Sequence, residues 1–142
     1  MSGLSEIRHA TAVSVEGSGV LITGVSGRGK SALALQLMAL GADLVADDQV
    51  CVQLDRDALI LSRPDGLPAK IEARGIGLLD TSLAETARLD LLIDLDQQET
   101  ARLPEPQVQV IFGVPVTFWR NVDAPHFPAA ILLYLRAKRV AS

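Results

Sequence analysis

The stretch Gly19-Val20-Leu21-Ile22-Thr23-Gly24-Val25-Ser26-Gly27-Arg28-Gly29-Lys30-Ser31 decides the fold. From Gly24 to Ser31 it fits the G-x-x-x-x-G-K-[ST] phosphate loop at every fixed position. The apolar run before it, 19–23, reads as a buried strand, and residues 31–40 read as a helix. That strand–loop–helix setting is what gives the motif physical content. Backbone N–H groups of such a loop turn inward as an anion nest, and the helix N-terminus adds partial positive charge. Glycines let the backbone approach phosphates with no Cβ in the way. Gly24, Val25, Ser26, Gly27, Arg28, Gly29, Lys30 and Ser31 therefore form the expected nucleotide-binding unit. Lys30 can reach the β- and γ-phosphates, and the Ser31 hydroxyl can ligate Mg2+.

Working outward, residues 11–16 alternate in the strand manner and end at Gly17-Ser18-Gly19. Hairpin spacing makes this segment and the strand before the loop antiparallel partners. The helix after the loop carries Leu33, Leu37 and Leu40 on one face with Ala34 and Met38 beside them, an apolar stripe. Gly41 is a plausible stop. Downstream, Leu44-Val45-Ala46-Asp47-Asp48 precedes strand-like segments 50–54 and 58–61, with Asp55-Arg56-Asp57 as the hairpin turn between them. Residues 63–67 carry Pro and Gly and form a loop. Residues 76–79 read as a short buried segment, and 89–95 as a strand apolar enough to be central. Residues 97–107, polar and containing Pro104 and Pro106, read as a surface connection. Two short strands, 108–112 and 114–118, flank Gly113. Residues 128–140 read as a helix whose Arg136, Lys138 and Arg139 suit its C-terminal dipole. Strands at hairpin spacing, with one phosphate-loop helix among them, indicate an α/β domain with a mixed or antiparallel sheet. They do not follow the βαβαβ rhythm of a doubly wound fold.

The bulk composition narrows the partners. A chain of 142 residues reads as one domain, 1–142. Such a chain buries about two-thirds of its unfolded surface and needs no staples. A formal net charge of −4 argues against general nucleic-acid binding, which wants a basic face. The single cysteine, Cys51, cannot pair internally and reads as a buried small hydrophobe. A reducing cytoplasm is the expected location. No signal-peptide pattern is visible, and no apolar run approaches the ~20 residues of a membrane span.

Several side chains can carry chemistry. Asp47 and Asp48 are adjacent carboxylates that repel unless each finds a cation or a proton. At a strand end beside a phosphate loop, Mg2+ is the obvious partner, and one of the two can accept a proton from an attacking hydroxyl. Glu72-Ala73-Arg74-Gly75-Ile76-Gly77 sets an acid and a base around two glycines. Glu72 can ligate a metal and Arg74 can steady phosphate charge. On its own, His9 reads as an exposed or capping histidine, and Arg102 and Arg120 as solvated arginines.

Taken together these residues resemble the catalytic, C-terminal domain of HPr kinase/phosphorylase, the bacterial enzyme that acts on a serine of the phosphocarrier HPr. The resemblance rests on residues 19–24 running into Ser26-Gly27 and Gly29-Lys30-Ser31, on Leu44-Val45-Ala46-Asp47-Asp48, and on Glu72-Ala73-Arg74-Gly75-Ile76-Gly77 continued by Leu78-Leu79-Asp80. It implies a mixed-sheet phosphate-loop kinase fold related to phosphoenolpyruvate carboxykinase, with ATP and Mg2+ as cofactors. His9 would be an active-site histidine and Lys30 the phosphate-loop lysine. Ser31 and Glu72 would be Mg2+ ligands, with Asp47 a further metal candidate. Asp48 would be the acid/base, taking the serine proton in the kinase direction and returning it in phosphorolysis, which releases pyrophosphate. Arg102 would be a catalytic arginine. Residues 115–120, ending in Arg120, would be the segment used in dephosphorylation. The chain begins close to His9, so the resemblance implies a form without the usual N-terminal domain, like the short form of some alphaproteobacteria. It also implies an oligomer, typically a hexamer, and regulation of carbon or nitrogen metabolism through the phosphotransferase system. Two other readings stay open: a phosphate-loop small-molecule kinase or NTPase, and a non-catalytic nucleotide-binding regulator.

Overall fold

The computed structural model describes residues 3–138. Arg139 and Val140, the end of the expected terminal helix, lie outside the described residues. Along the chain run β1 (Ser5–Val15), β2 (Ser18–Thr23), α1 (Lys30–Ala39), β3 (Asp43–Ala46), β4 (Gln49–Asp55), β5 (Ala58–Ser62), β6 (Ile71–Ala73), β7 (Gly77–Leu79), β8 (Thr86–Gln98), β9 (Val108–Ile111), β10 (Val114–Asn121) and α2 (Phe127–Lys138).

Eight strands make one sheet in the order β2-β1-β4-β5-β8-β10-β9, with β3 beside β1 and a further pairing of β2 with β8. That last pairing closes five strands on themselves. Two long strands make the closure possible. The first half of β1 pairs with β4 and its second half with β2. The start of β8 meets β5, while its later residues lie between β2 and β10. Both β2–β8 and β8–β10 are parallel, and the other pairings of the sheet are antiparallel. The mixed sheet expected from the sequence is therefore present, with β8 central.

Alternation along the strands builds two apolar layers. Val13, Val20, Ile22, Leu91, Ile93 and Leu95 face both helices, packing on Leu33, Ala34, Leu37, Ile131 and Leu135. Ala10, Ala12, Leu21, Leu89 and Leu92 face the other way, onto Val50, Val52, Leu61 and Phe118. Strands β2 and β8 are buried on both faces over Val20-Leu21-Ile22 and Leu91-Leu92-Ile93, which is why those stretches show no polar alternation. Two hairpins turn on two residues with φ above zero, Glu16-Gly17 and Phe112-Gly113, the geometry that matches strand twist.

Four local expectations need correction. Residues 76–79 are not buried: Ile76 is 77% exposed and Leu78 and Leu79 are open too. They belong to the small β6–β7 hairpin, which pairs with no strand of the main sheet, so only Ile71 and Ala73 of that hairpin reach the core. Leu40 leaves the helical stripe because α1 ends at Ala39. There Gly41 N–H bonds Met38 C=O and Ala42 N–H bonds Leu37 C=O, a Schellman stop with Gly41 at φ 113°. Gln97 and Gln98 are strand rather than connection, since β8 continues alongside β10. Cys51 is half-buried and unpaired, on β4.

Among the glycines, Gly19 has the closest neighbours. A Cβ there would lie 2.9 Å from the Arg88 carbonyl oxygen and 3.0 Å from the Ala87 Cβ. Neither neighbour is a flexible chain end, so β2 and β8 would have to separate. Gly19→Ala is expected to cost about 1–3 kcal/mol of stability by overpacking, read as a lower denaturation midpoint with an unchanged m-value. A midpoint equal to that of the unaltered protein would show that the sheet yields there at no cost.

Candidate active site

The site is built where β2 runs into α1. The loop leaves β2 at Gly24, whose φ of 150° lies in the range only glycine adopts readily. A Cβ there would also press to 3.3 Å on Leu95 and Arg28. Gly29 ends the loop in the left-handed conformation as the N-cap of α1. The helix start carries no capping side chain and no acid in its first turn. Its first intrahelical bond runs from Leu33 N–H to Gly29 C=O. The preceding amides are thus left to an outside acceptor, the arrangement that favours an anion. Lys30 is only 8% exposed, and its ammonium donates to the Gly24 carbonyl at 2.7 Å. The charge is folded back over the loop that it would serve.

The strand after α1 delivers the two aspartates, and their environments differ. Asp47 Oδ1 accepts from the Ser31 hydroxyl at 2.7 Å and from the Thr11 hydroxyl at 2.9 Å, while Oδ2 accepts the Glu72 amide at 3.1 Å. Three donors satisfy that carboxylate and hold Ser31 in place. Asp48 sits at φ 74° with its side chain 71% exposed, and among the described residues the only side chain paired with it is His9, at 3.5 Å from Nδ1. A left-handed aspartate is an uncommon conformation that costs energy. Here it turns the second carboxylate away from the first.

One cleft of about 260 Å3 gathers most of the expected residues. His9, Ser26, Gly27, Gly29, Lys30, Ser31, Asp48, Glu72 and Arg74 line it, together with Thr11 and Ala32. Asp47 lies behind Ser31 and is not part of the lining. Gly24, Val25 and Arg28 of the loop do not line it either. Neither Arg102 nor Arg120 lines this cleft. Arg102 is exposed in the segment between β8 and β9. Arg120, on β10, donates to Gln97 at 3.2 Å, lies 3.8 Å from the Glu99 carboxylate and borders a separate cavity with Trp119 and Tyr134.

The donor set suits Mg2+, a hard cation that takes oxygen ligands and keeps several positions for phosphate and water. Ser31 offers a hydroxyl, and Asp47 and Glu72 offer carboxylates beside it. Among the described residues no three His, Cys, Asp or Glu side chains converge as a ready cage. An ion here would share its coordination with the phosphates.

Two functional side chains carry no motif. Thr11 co-holds Asp47 from β1. Asp96, near the end of β8, accepts the Val25 amide at 3.1 and 3.2 Å and pairs with Arg28 at 3.1 Å, clamping the start and end of the loop's outer flank. An acid following an apolar central strand was the available signal, because ligands of α/β sheets gather at the carboxyl ends of parallel strands.

The chain is similar to known proteins in this same region. The family model for the HPr Serine kinase C-terminal domain matches residues 3–117. A protein named HPr kinase/phosphorylase from Polaromonas naphthalenivorans is 39% identical over 122 residues, covering 76% of this chain and 39% of that relative. One of the same name from Lacticaseibacillus casei is 36% identical over 130 residues, covering 81% of this chain and 41% of the relative. The chain thus spans about two-fifths of the length of the curated relatives it matches. The solved Hpr(Ser) kinase/phosphatase from Coxiella burnetii superposes with a TM-score of 0.79 at 27% identity, over 94% of this chain and 96% of that one.

Proposed function

The chain belongs to the HPr serine kinase C-terminal domain family, and from that premise we propose that it is an ATP- and Mg2+-dependent protein kinase acting on a serine of HPr or an HPr-like phosphocarrier. The observation that carries this reading is the single cleft in which the phosphate loop, His9, Asp48, Glu72 and Arg74 converge. The loop amides and Lys30 receive the β- and γ-phosphates. Mg2+, when bound, neutralises phosphate charge, with Ser31 and Glu72 as its protein oxygen donors in the cleft and Asp47, bonded to the Ser31 hydroxyl, as a further candidate behind them. Asp48 accepts the proton of the carrier's serine as the serine oxygen bonds to the γ-phosphorus. The bond from that phosphorus to the β–γ bridging oxygen breaks, and ADP leaves. Arg74 steadies the transferring phosphoryl group, and His9, paired with Asp48, orients its carboxylate.

In reverse, inorganic phosphate attacks the phosphoserine, Asp48 returns the proton to the serine oxygen, and pyrophosphate is released. Arg102 and Arg120 stand outside the cleft, so this reading requires the docked carrier or a second subunit to bring them to the phosphates. Assembly into an oligomer, a cytoplasmic location and regulation of metabolism through the phosphotransferase system belong to the same proposal. No helix among the described residues is long and apolar enough to cross a membrane.

The test combines the purified chain, HPr, Mg2+ and ATP labelled on the γ-phosphate. Label on an HPr serine is the expected result, and added phosphate should then release labelled pyrophosphate. Label released to water or to a small molecule, with HPr untouched, would favour an NTPase or small-molecule kinase. Binding of ATP with no turnover would favour a regulator.

A further inference from the structure

One face of β1 changes its cover along the strand. Alternate residues of a strand share a face, so Ile7, His9, Thr11 and Val13 stand in one row. Val13 is buried with the helices. Thr11 and His9 line the phosphate cleft. One step beyond His9 the row is open, and Ile7 is 59% exposed. The open face continues across the next two strands. Ile7 stands opposite Cys51 on β4, and Cys51 stands opposite Ser62 on β5. Ser5 with Gln53, and His9 with Gln49, pair on either side of Ile7. Between the cleft and Ser5 this face carries no carboxylate, lysine or arginine. An apolar centre with charge kept away is the composition of an interface core.

A second apolar edge adjoins the cleft on another element. Strand β7 pairs with β6 so that Leu78 stands opposite Glu72, a residue of the cleft lining. Opposed residues of a hairpin share a face, so Leu78 flanks Glu72, and it is 61% exposed. Ile76, in the same turn as Arg74, is 77% exposed. The hairpin meets the core through its other face, by Ile71 and Ala73. Its packing therefore uses neither Leu78 nor Ile76. Apolar side chains left open next to working residues mark an interaction surface.

We propose that Ile7, with the β4–β5 face behind it, and Leu78, with Ile76, are two docking edges for the folded protein whose serine enters the cleft. The inference rests on the protein-kinase reading and adds where the substrate sits. The side chains of His9 and Asp48 are 51% and 71% exposed, so the serine hydroxyl is met at the cleft mouth. The carrier surface around that serine must then rest on what borders the mouth. A second copy of this chain held on both edges would close the mouth to a folded substrate, whereas a carrier that docks and leaves keeps it usable. Complementarity asks for uncharged, apolar side chains around the carrier's serine.

Two readouts test this. In steady-state transfer to HPr at saturating ATP and Mg2+, Ile7→Glu and Leu78→Glu, both at open positions, should each raise the KM for HPr about tenfold. The kcat, and the affinities for ATP and pyrophosphate, should stay within about twofold, the pattern of lost substrate binding alone. Cys51 gives a readout without turnover, since it is the single cysteine of the chain and stands opposite Ile7. Saturating HPr should slow alkylation of Cys51, followed by mass spectrometry, and Ile7→Glu should abolish that slowing. Unchanged KM in both variants, with Cys51 alkylated equally fast with and without HPr, would overturn the inference. So would variants that lower the oligomeric state and leave the KM unchanged, which would seat a second copy on these edges. If the unaltered protein transfers no phosphate to HPr, the protein-kinase reading itself fails, and this inference with it.

Discussion

Asp48→Asn is expected to bind ATP within about threefold of the unaltered protein and to transfer phosphate to HPr about a thousandfold more slowly, the middle of the range for loss of a general base. The split follows from where the two aspartates sit. Asp47 is tied to Ser31, Thr11 and the Glu72 amide, so changing it would disturb the start of α1, strand β1 and the β6–β7 hairpin together. Asp48 pairs with His9 alone among the described side chains and is largely exposed. Removing its basicity changes no buried contact. Asparagine is the informative replacement because it adopts φ near 74° about as readily as aspartate does, whereas alanine would be strained there. A thermal midpoint equal to that of the unaltered protein, with ATP affinity kept and transfer lost, isolates the proton-accepting role. Full transfer activity in this variant would remove Asp48 from the reaction and reopen the question for His9 and Glu72.

The same contrast shows what local sequence can and cannot carry. The phosphate loop was legible because its parts are contiguous: strand, glycines, lysine, hydroxyl and helix stripe lie within residues 19–40. Strand β8 was legible because burial on both faces leaves Leu91-Leu92-Ile93 apolar in succession, flanked by Leu89 and Leu95. The adjacent pair Asp47-Asp48 was visible, but the difference between them was not. That difference depends on the left-handed turn at Asp48 and on partners 36 and 16 residues from Asp47. Asp96 reaches Val25 across 71 residues, through a parallel β2–β8 pairing that no hairpin spacing announces. Residues 76–79 looked buried because an apolar run shows hydrophobicity and not what covers it. Leu40 looked like part of the stripe because periodicity does not register where a Schellman turn ends the helix. Closure of the sheet through β2 and β8 was likewise out of reach, since it depends on long strands switching partners midway.

The largest loss of nucleotide binding is expected from Lys30→Ala. The ammonium rests on the Gly24 carbonyl at 2.7 Å, nearly buried. It can leave that neutral acceptor for a phosphate oxygen by a rotation of its own side chain. A hydrogen bond between charged groups in a screened site is worth about 1.5–3 kcal/mol, so ATP and pyrophosphate affinities should each fall roughly 10- to 100-fold. Transfer should fall further, because charge on the phosphates grows as the bridging bond breaks and Lys30 meets it there. A purely structural lysine would behave differently. Loss of the Gly24 contact would then lower the melting temperature of the ligand-free protein and leave ligand affinity intact. The deciding measurement is therefore the melting temperature with and without Mg2+ and pyrophosphate. A bound ligand stabilises by RT ln(1 + [L]/Kd), so the variant should match the unaltered protein without ligand and lose most of the ligand-induced rise. Lys30→Arg should not restore that rise, since a planar guanidinium cannot replace a compact ammonium in the narrow space beneath the loop. A ligand-free midpoint that drops while the ligand-induced rise stays intact would mean that Lys30 braces the loop and the phosphates are bound by the backbone amides alone.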